Sequence, residues 1–431
     1  MKLILLLCLF IWQVHAKLKY RGASIEYDLN SYKTLKDANA NVARTYAAYR
    51  YLYQDFKGTF DASLRVENLR TAYASNIKLL DDWSASTLNF GYVDKQIEGL
   101  KQVGINSIIE IGEGTQWCLP YLDHKQSEEV IDPNNVGKEA YLAYIYRYSR
   151  AVVRRYKKDV KMYQIENEMN EAYLYSIIGW KKFRVFDNAW HDWSFVTSIM
   201  KYLYLAVKDE CSDCLTTQNV HSDLPKELHH LYLSHGYYLD AIADWIEYMD
   251  VVSFDAYPNY YVATPLRYDV IGERTKAIYD VLKSLPAPHN KKEVFVMETG
   301  YPASNLTSPL PASLNFTEDS QYTWVNEAIK SHVEAGGVGM VYFKVQKQPG
   351  VTPPPGGYTK EDAEAMAVLA DLYQQENLLQ SIEWMATHIG YLSSRFGTIA
   401  GSIEKGWGLL HLDGTPRKGL IALKESFNKY A

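Results

Sequence analysis

Lys161-Met162-Tyr163-Gln164-Ile165-Glu166-Asn167-Glu168-Met169-Asn170 is the stretch from which the rest of the chain is read. An apolar-flanked run that ends in Asn-Glu predicts a short strand presenting an acid and an amide donor at its carboxyl end. Further on, Val294-Phe295-Val296-Met297-Glu298-Thr299-Gly300-Tyr301-Pro302 predicts a second strand that also ends on a glutamate. Two carboxyls facing each other across a cleft are what cleavage of a glycosidic bond requires.

Strand and helix signals alternate along most of the chain, which predicts a parallel sheet with helical crossovers. The expected strands run over Tyr20 to Tyr27, Glu67 to Tyr73, Ile105 to Ile111, the Glu168 stretch, Leu215 to His221, Asp250 to Tyr257, the Glu298 stretch and Val338 to Val345. Between the first two, Tyr32 to Phe56 reads as mostly helical, because Leu35, Ala38, Val42 and Tyr46 recur near the helical period. Eight strands with intervening helices predict an α/β fold, a closed (β/α)8 TIM barrel, in one domain over 17–431 with long loop insertions after strands 1, 4 and 8. An open doubly wound sheet is the alternative, and it does not account for carboxyls ending both strand 4 and strand 7.

Residues 1–16 carry Lys2, an apolar run from Leu3 to Trp12, and Val14-His15-Ala16, the pattern of a cleaved signal peptide too short to cross a bilayer. The expectation is a secreted, extracellular protein, with the lysosome as the other compartment. The net charge of -6 argues against nucleic acid as a partner, and no later stretch is long enough to span a membrane. A monomer acting on an oligo- or polysaccharide is expected. In an oxidising compartment Cys211 and Cys214 are expected to pair, leaving Cys118 single. The sequons at Asn305 and Asn315 predict glycosylation of one exposed loop. Neither a metal nor an organic cofactor is expected: no second ligand pair follows Cys211-x-x-Cys214, and Gly112-Glu113-Gly114 lacks the spacing of a dinucleotide loop.

Asn167-Glu168, Tyr257-Pro258, Glu298-Thr299-Gly300-Tyr301-Pro302 and the closing Gly408-Leu409-Leu410 with Asp413-Gly414-Thr415-Pro416 together resemble glycoside hydrolases of clan A. The strand-seven motif looks most like the endo-β-1,4-galactanases, and Tyr144 to Glu168 looks more like the β-xylosidase and iduronidase branch. The resemblance implies retaining hydrolysis of β-linked glycans, with Glu298 as nucleophile and Glu168 as acid/base. It also implies that Arg70 fills the arginine position of strand 2 and, with Tyr257, keeps Glu298 ionised, and that Asn167 holds the sugar 2-hydroxyl. Phe343 or Trp117 would supply the ring platform that strand 8 lacks, and His221 would reach the barrel mouth. Trp117, Trp180 and Trp190 suggest a groove for a polymer, hence endo action. Glu166, two residues before Glu168, is expected on the same strand face, with Lys344 as its neutralising partner. Three classes fit this motif set: a hydrolase, a transglycosylase using the same residues, and a catalytically silent carbohydrate-binding barrel.

Overall fold

The computed structural model describes residues 17–25, 28–47, 61–112, 133–171, 189–231, 236–304 and 310–431. Eight strands close into a barrel in sequence order: β1 Tyr20–Ile25, β2 Val42–Tyr46, β3 Asn106–Glu110, β4 Met162–Asn167, β5 Leu215–His221, β6 Val251–Ala256, β7 Val294–Thr299 and β8 Gly339–Val345. Every neighbouring pair is parallel, including β1 with β8, so no edge is left unpaired.

Alternation along each strand sets the layers of the barrel interior. Val42, Ile108, Met162, Val251, Phe295 and Val341 form one apolar cluster inside it. Two residues further on, the same strand faces carry Arg44, Glu110, Gln164 and Ser253, all buried. The interior is therefore an apolar plug beneath a polar layer, and the polar layer lies at the carboxyl ends of the strands, where barrel enzymes hold their active sites.

The larger helices are α1 Leu29–Asp37, α2 Val66–Ser75, α3 Lys78–Thr87, α4 Gly91–Val103, α5 Lys138–Tyr156, α6 Trp193–Glu210, α7 Tyr238–Trp245, α8 Asp269–Ser284 and α9 Glu318–Glu334. After β8 come α10 Lys360–Gln374, α11 Leu378–Thr387, α12 Ile389–Glu404 and α13 Lys418–Lys429. The outer layer is closed by α13 packing on α9. Leu372, Met385 and Leu392 of the insertion after β8 pack on Leu224 and Leu228, which follow β5. Cys211 and Cys214 form the expected disulfide between α6 and β5.

Strand 2 is not where the sequence reading put it. Val66, Leu69 and Tyr73, at spacings of three and four, are the buried face of helix α2, and Arg70 lies on that helix. The strand is Val42–Tyr46, inside the segment expected to be helical; α1 ends at Asp37, and Asn39 at φ 62° turns the chain into it. The long insertion expected after strand 1 accordingly falls after β2, where α2, α3 and α4 precede β3. The signal segment, Cys118 and much of the segment after β4 lie outside the described residues.

Candidate active site

Arg44 organises the polar layer. It is 1% exposed, and its guanidinium donates to Glu298 Oε1 from β7 and, at 2.5 Å, to Glu110 Oε2 from β3. It also donates to Gln164 Oε1 at 2.6 Å, to Asn167 Oδ1 at 2.8 Å and to the Tyr46 hydroxyl at 3.1 Å. Burial alone would lower its affinity for a proton, but the charges of Glu298 and Glu110 more than reverse that, so the cation is firmly held. Arg70, expected in this role, is instead bonded to Asp209 at 3.0 Å in a partly exposed pair on the helix layer.

Glu298, 7% exposed, receives a second bond on its other oxygen from the Tyr257 hydroxyl at 2.8 Å. One oxygen of Glu298, one of Glu168 and one of Asp255 all lie within 4.8 Å of one another. Three carboxyls this close cannot all be ionised, and the proton goes to the groups without a dedicated cation. Glu168 is pushed up to about 8, first by burial and then by the charges of Glu298 and Glu171, against the opposing pull of His221. Asp255 is raised well above the usual carboxylate range for the same reasons.

Local backbone aims Glu168 at this cluster. The β4–β5 register shifts between Gln164 and Asn167, and both of those side chains reach Arg44. Glu168 follows in the left-handed region at φ 45°, and a tight turn begins in which the Glu171 amide donates to the Glu168 carbonyl at 2.9 Å. A glutamate there costs roughly 1–2 kcal/mol, a strain held beside a cluster of carboxyls. Glu166 lies over Gly112, where a Cβ would lie 1.7 Å from its Oε2. The charge of Lys344 acts on Glu404, and its ammonium stands over the Phe343 ring.

Asn167 is held by Arg44 and by Asn219 Nδ2 at 2.8 Å. His221, expected to meet substrate, has both ring nitrogens taken: Nδ1 is ion-paired with Glu171, and Nε2 is 3.1 Å from Asp223 Oδ2. Those two carboxylates, with Glu168, raise its affinity for a proton well above normal despite burial, so it sits as a fixed imidazolium behind Glu168. Asp223 Oδ2 also accepts from the Tyr257 amide at 2.5 Å, tying β5 to the hydroxyl that serves Glu298.

Phe343 is half-buried and meets Tyr257 edge to face at 6.4 Å. Trp407, which the sequence reading passed over, stacks on Tyr257 at 4.8 Å and meets Phe343 at 5.4 Å. Its indole braces the face of the tyrosine that bonds Glu298. Trp190 belongs to the core at 2% exposure, packed against Tyr141 and Phe195. Trp117, Trp180 and Asn305 lie outside the described residues, while Asn315 is exposed before the buried Phe316.

No protein-family model matches the sequence, and no curated protein does. Solved structures do share the barrel. A GH5_18 protein from Streptomyces cattleya, solved with GlcNAc, superposes with a TM-score of 0.55 at 9% identity over 96% of this chain and 80% of its own. A family 39 glycoside hydrolase from Bacteroides cellulosilyticus gives 0.51 at 11% identity over 95% of this chain but 64% of its own, so this chain spans just under two thirds of it. Xylanase 10B from Thermotoga maritima gives 0.50 at 11% identity over 96% of both. At these identities the likeness is one of fold: a closed (β/α)8 barrel of the kind found in these glycoside hydrolases.

Proposed function

We propose that the chain is a retaining β-glycosidase of clan A, a hydrolase that acts within β-linked polysaccharide chains after secretion, with glycans on Asn305 and Asn315. The observation that carries this reading is the spacing of Glu168 and Glu298, whose nearest oxygens lie within 4.8 Å. Double displacement needs carboxyls about 5–5.5 Å apart, whereas inversion needs roughly 6.5–9.5 Å to admit a water.

The two glutamates differ in the way the mechanism requires. Glu298 is held as a carboxylate by Arg44 and Tyr257, oriented to attack the anomeric carbon. Glu168, raised to about 8 by burial first, is protonated at neutral pH and delivers that proton to the departing oxygen. Once the leaving group has gone, the same carboxylate takes a proton from water, which displaces Glu298 from the sugar. In this reading Asn167, fixed by Arg44 and Asn219, holds the 2-hydroxyl of the sugar. Phe343 and the Tyr257–Trp407 pair offer apolar surface for a pyranose face.

The test is turnover of aryl β-glycosides and of a panel of polysaccharides by the wild type and by Glu298→Gln. Anomeric configuration is followed by NMR, and the site is trapped with activated 2-fluoro sugars. Retention, label on Glu298 and loss of turnover in the variant are expected. Label on another residue, or turnover that survives Glu298→Gln, overturns the assignment, and binding without turnover in the wild type points to a carbohydrate-binding barrel. Product lengths from an intact polysaccharide decide endo against exo action.

A further inference from the structure

Asp255 has no part in the double displacement as written, yet it is placed at its centre. It lies on β6, fully buried, two residues before Tyr257. Its Oδ2 accepts from Asn219 Nδ2 at 2.5 Å, while its Oδ1 is buried and meets no hydrogen-bond donor among the described residues. A carboxylate with one oxygen desolvated and unpaired is costly, and beside two further carboxyls it is costlier.

Among the described residues, the two cations that act on it, Arg44 and His221, are each bound by other carboxylates. Arg44, from β2, is engaged by Glu298 and Glu110; His221, from β5, is engaged by Glu171 and Asp223. Tyr257, just past the end of its own strand, donates a hydrogen bond from its hydroxyl to Glu298, and Tyr373 of α10, a neutral phenol, lies near Glu171, Asp223 and Glu168. A proton on Asp255 resolves the arrangement, because the side-chain hydrogen bond between Asp255 and Glu168 then has a donor.

We propose that Asp255 is a neutral carboxylic acid that positions Glu168 and donates a hydrogen bond to it whenever Glu168 is ionised, a role that rests on Glu168 being the acid/base. In the first half-reaction the Glu168 proton moves to the glycosidic oxygen as the bond to C1 breaks and Glu298 bonds C1. The new Glu168 carboxylate then accepts from the Asp255 O–H, whose proton stays on Asp255. In the second half-reaction Glu168 takes a proton from water as the water oxygen bonds C1, and Glu298 departs as a carboxylate. Proton count and charge return to the starting state. Asp255 is a positioning residue, acting on the substrate only through Glu168.

The experiment compares Asp255→Leu, which removes the donor at similar size, with Asp255→Asn, which retains an N–H there. In the first readout, kcat/KM is measured on glycosides with poor and with highly activated leaving groups, since only the former need acid assistance. Asp255→Leu is expected to lose on the order of tenfold on the poor leaving group, as for one lost hydrogen bond to a charged group. It should change little on the activated one, and Asp255→Asn should recover most of the loss. Equal losses on both substrates, or an Asp255→Asn protein as impaired as Asp255→Leu, overturn the proposal.

The second readout is the carboxyl titration of Glu168 by NMR in protein labelled at glutamate, with Glu168→Gln to identify the signal. Loss of the donor should move the Glu168 titration upward in Asp255→Leu; no movement, or movement downward, overturns the proposal. Absence of turnover in the wild type would sink the acid/base reading of Glu168, while the titration would still decide whether the two carboxyls share a proton.

Discussion

Replacing Arg44 by methionine tests both the placement of strand 2 and the charge logic of the site. The guanidinium serves two carboxylates, Glu298 and Glu110, and three neutral oxygens, all in a layer with essentially no solvent. Removing one partner of a buried ion pair costs about 3–5 kcal/mol, because the other charge stays behind uncompensated. Here two charges stay behind, so the upper half of that range is expected for the loss of stability in urea. A loss of about 3 kcal/mol at Glu298 alone corresponds to about a hundredfold in kcat/KM. Lysine at this position keeps a charge but not the planar fork that reaches two strands at once, and should recover little. The control is Arg70→Ala, which breaks a partly exposed pair with Asp209 worth about 0–1 kcal/mol and should leave kcat/KM unchanged. A fully active, stable Arg44→Met protein, or an Arg70→Ala protein that loses activity, would refute the reasoning.

Glu168 is raised to about 8 in the folded chain, so its contribution to stability is complete below the unfolded value and is lost as pH rises through about 8. Thermal scans should therefore show the advantage of Glu168→Gln over the wild type growing from pH 5 to pH 9, and the wild-type activity should fall on the alkaline side near pH 8. An advantage that shrinks with pH would contradict this. Tyr257→Phe removes one hydrogen bond to a carboxylate and should lower kcat/KM about tenfold with little change in the urea midpoint. Breaking the Cys211–Cys214 bridge, which closes a very short loop, should cost no more than about 2 kcal/mol in urea and leave kcat/KM intact.

How much of this was legible in the sequence depended on the signal each residue carries. Glu168 and Glu298 end apolar strands with long runs, and their positions in the order of strands placed them at one mouth. Arg44 sits on a strand of five residues whose apolar positions, Val42 and Tyr46, continue the helical spacing of Leu35 and Ala38, so periodicity alone favoured the wrong element. The Asn39-Ala40-Asn41 turn before Val42-Ala43-Arg44-Thr45-Tyr46 was the available cue. Val66, Leu69 and Tyr73 likewise carried a helical spacing that the strand assignment of Arg70 overrode. The β4–β5 register shift between Gln164 and Asn167 was not legible, because a shift leaves no mark in composition. Trp407 was out of reach for another reason: its place against Tyr257 is set by how the chain returns after α12, a tertiary fact with no local signature.

The pairing of β1 with β8 also fixes when the site can exist during synthesis. β1, made before the other seven strands of the barrel, pairs with Gly339–Val345, so until that stretch is made it keeps an open edge. Arg44 is translated early, but its partner Glu298 and the brace Trp407 come late. The candidate site is thus assembled from contacts of high sequence separation, which form slowly. A nascent chain halted before β8 would present unpaired strands rather than a partly formed site. Its hazard would be association with other chains.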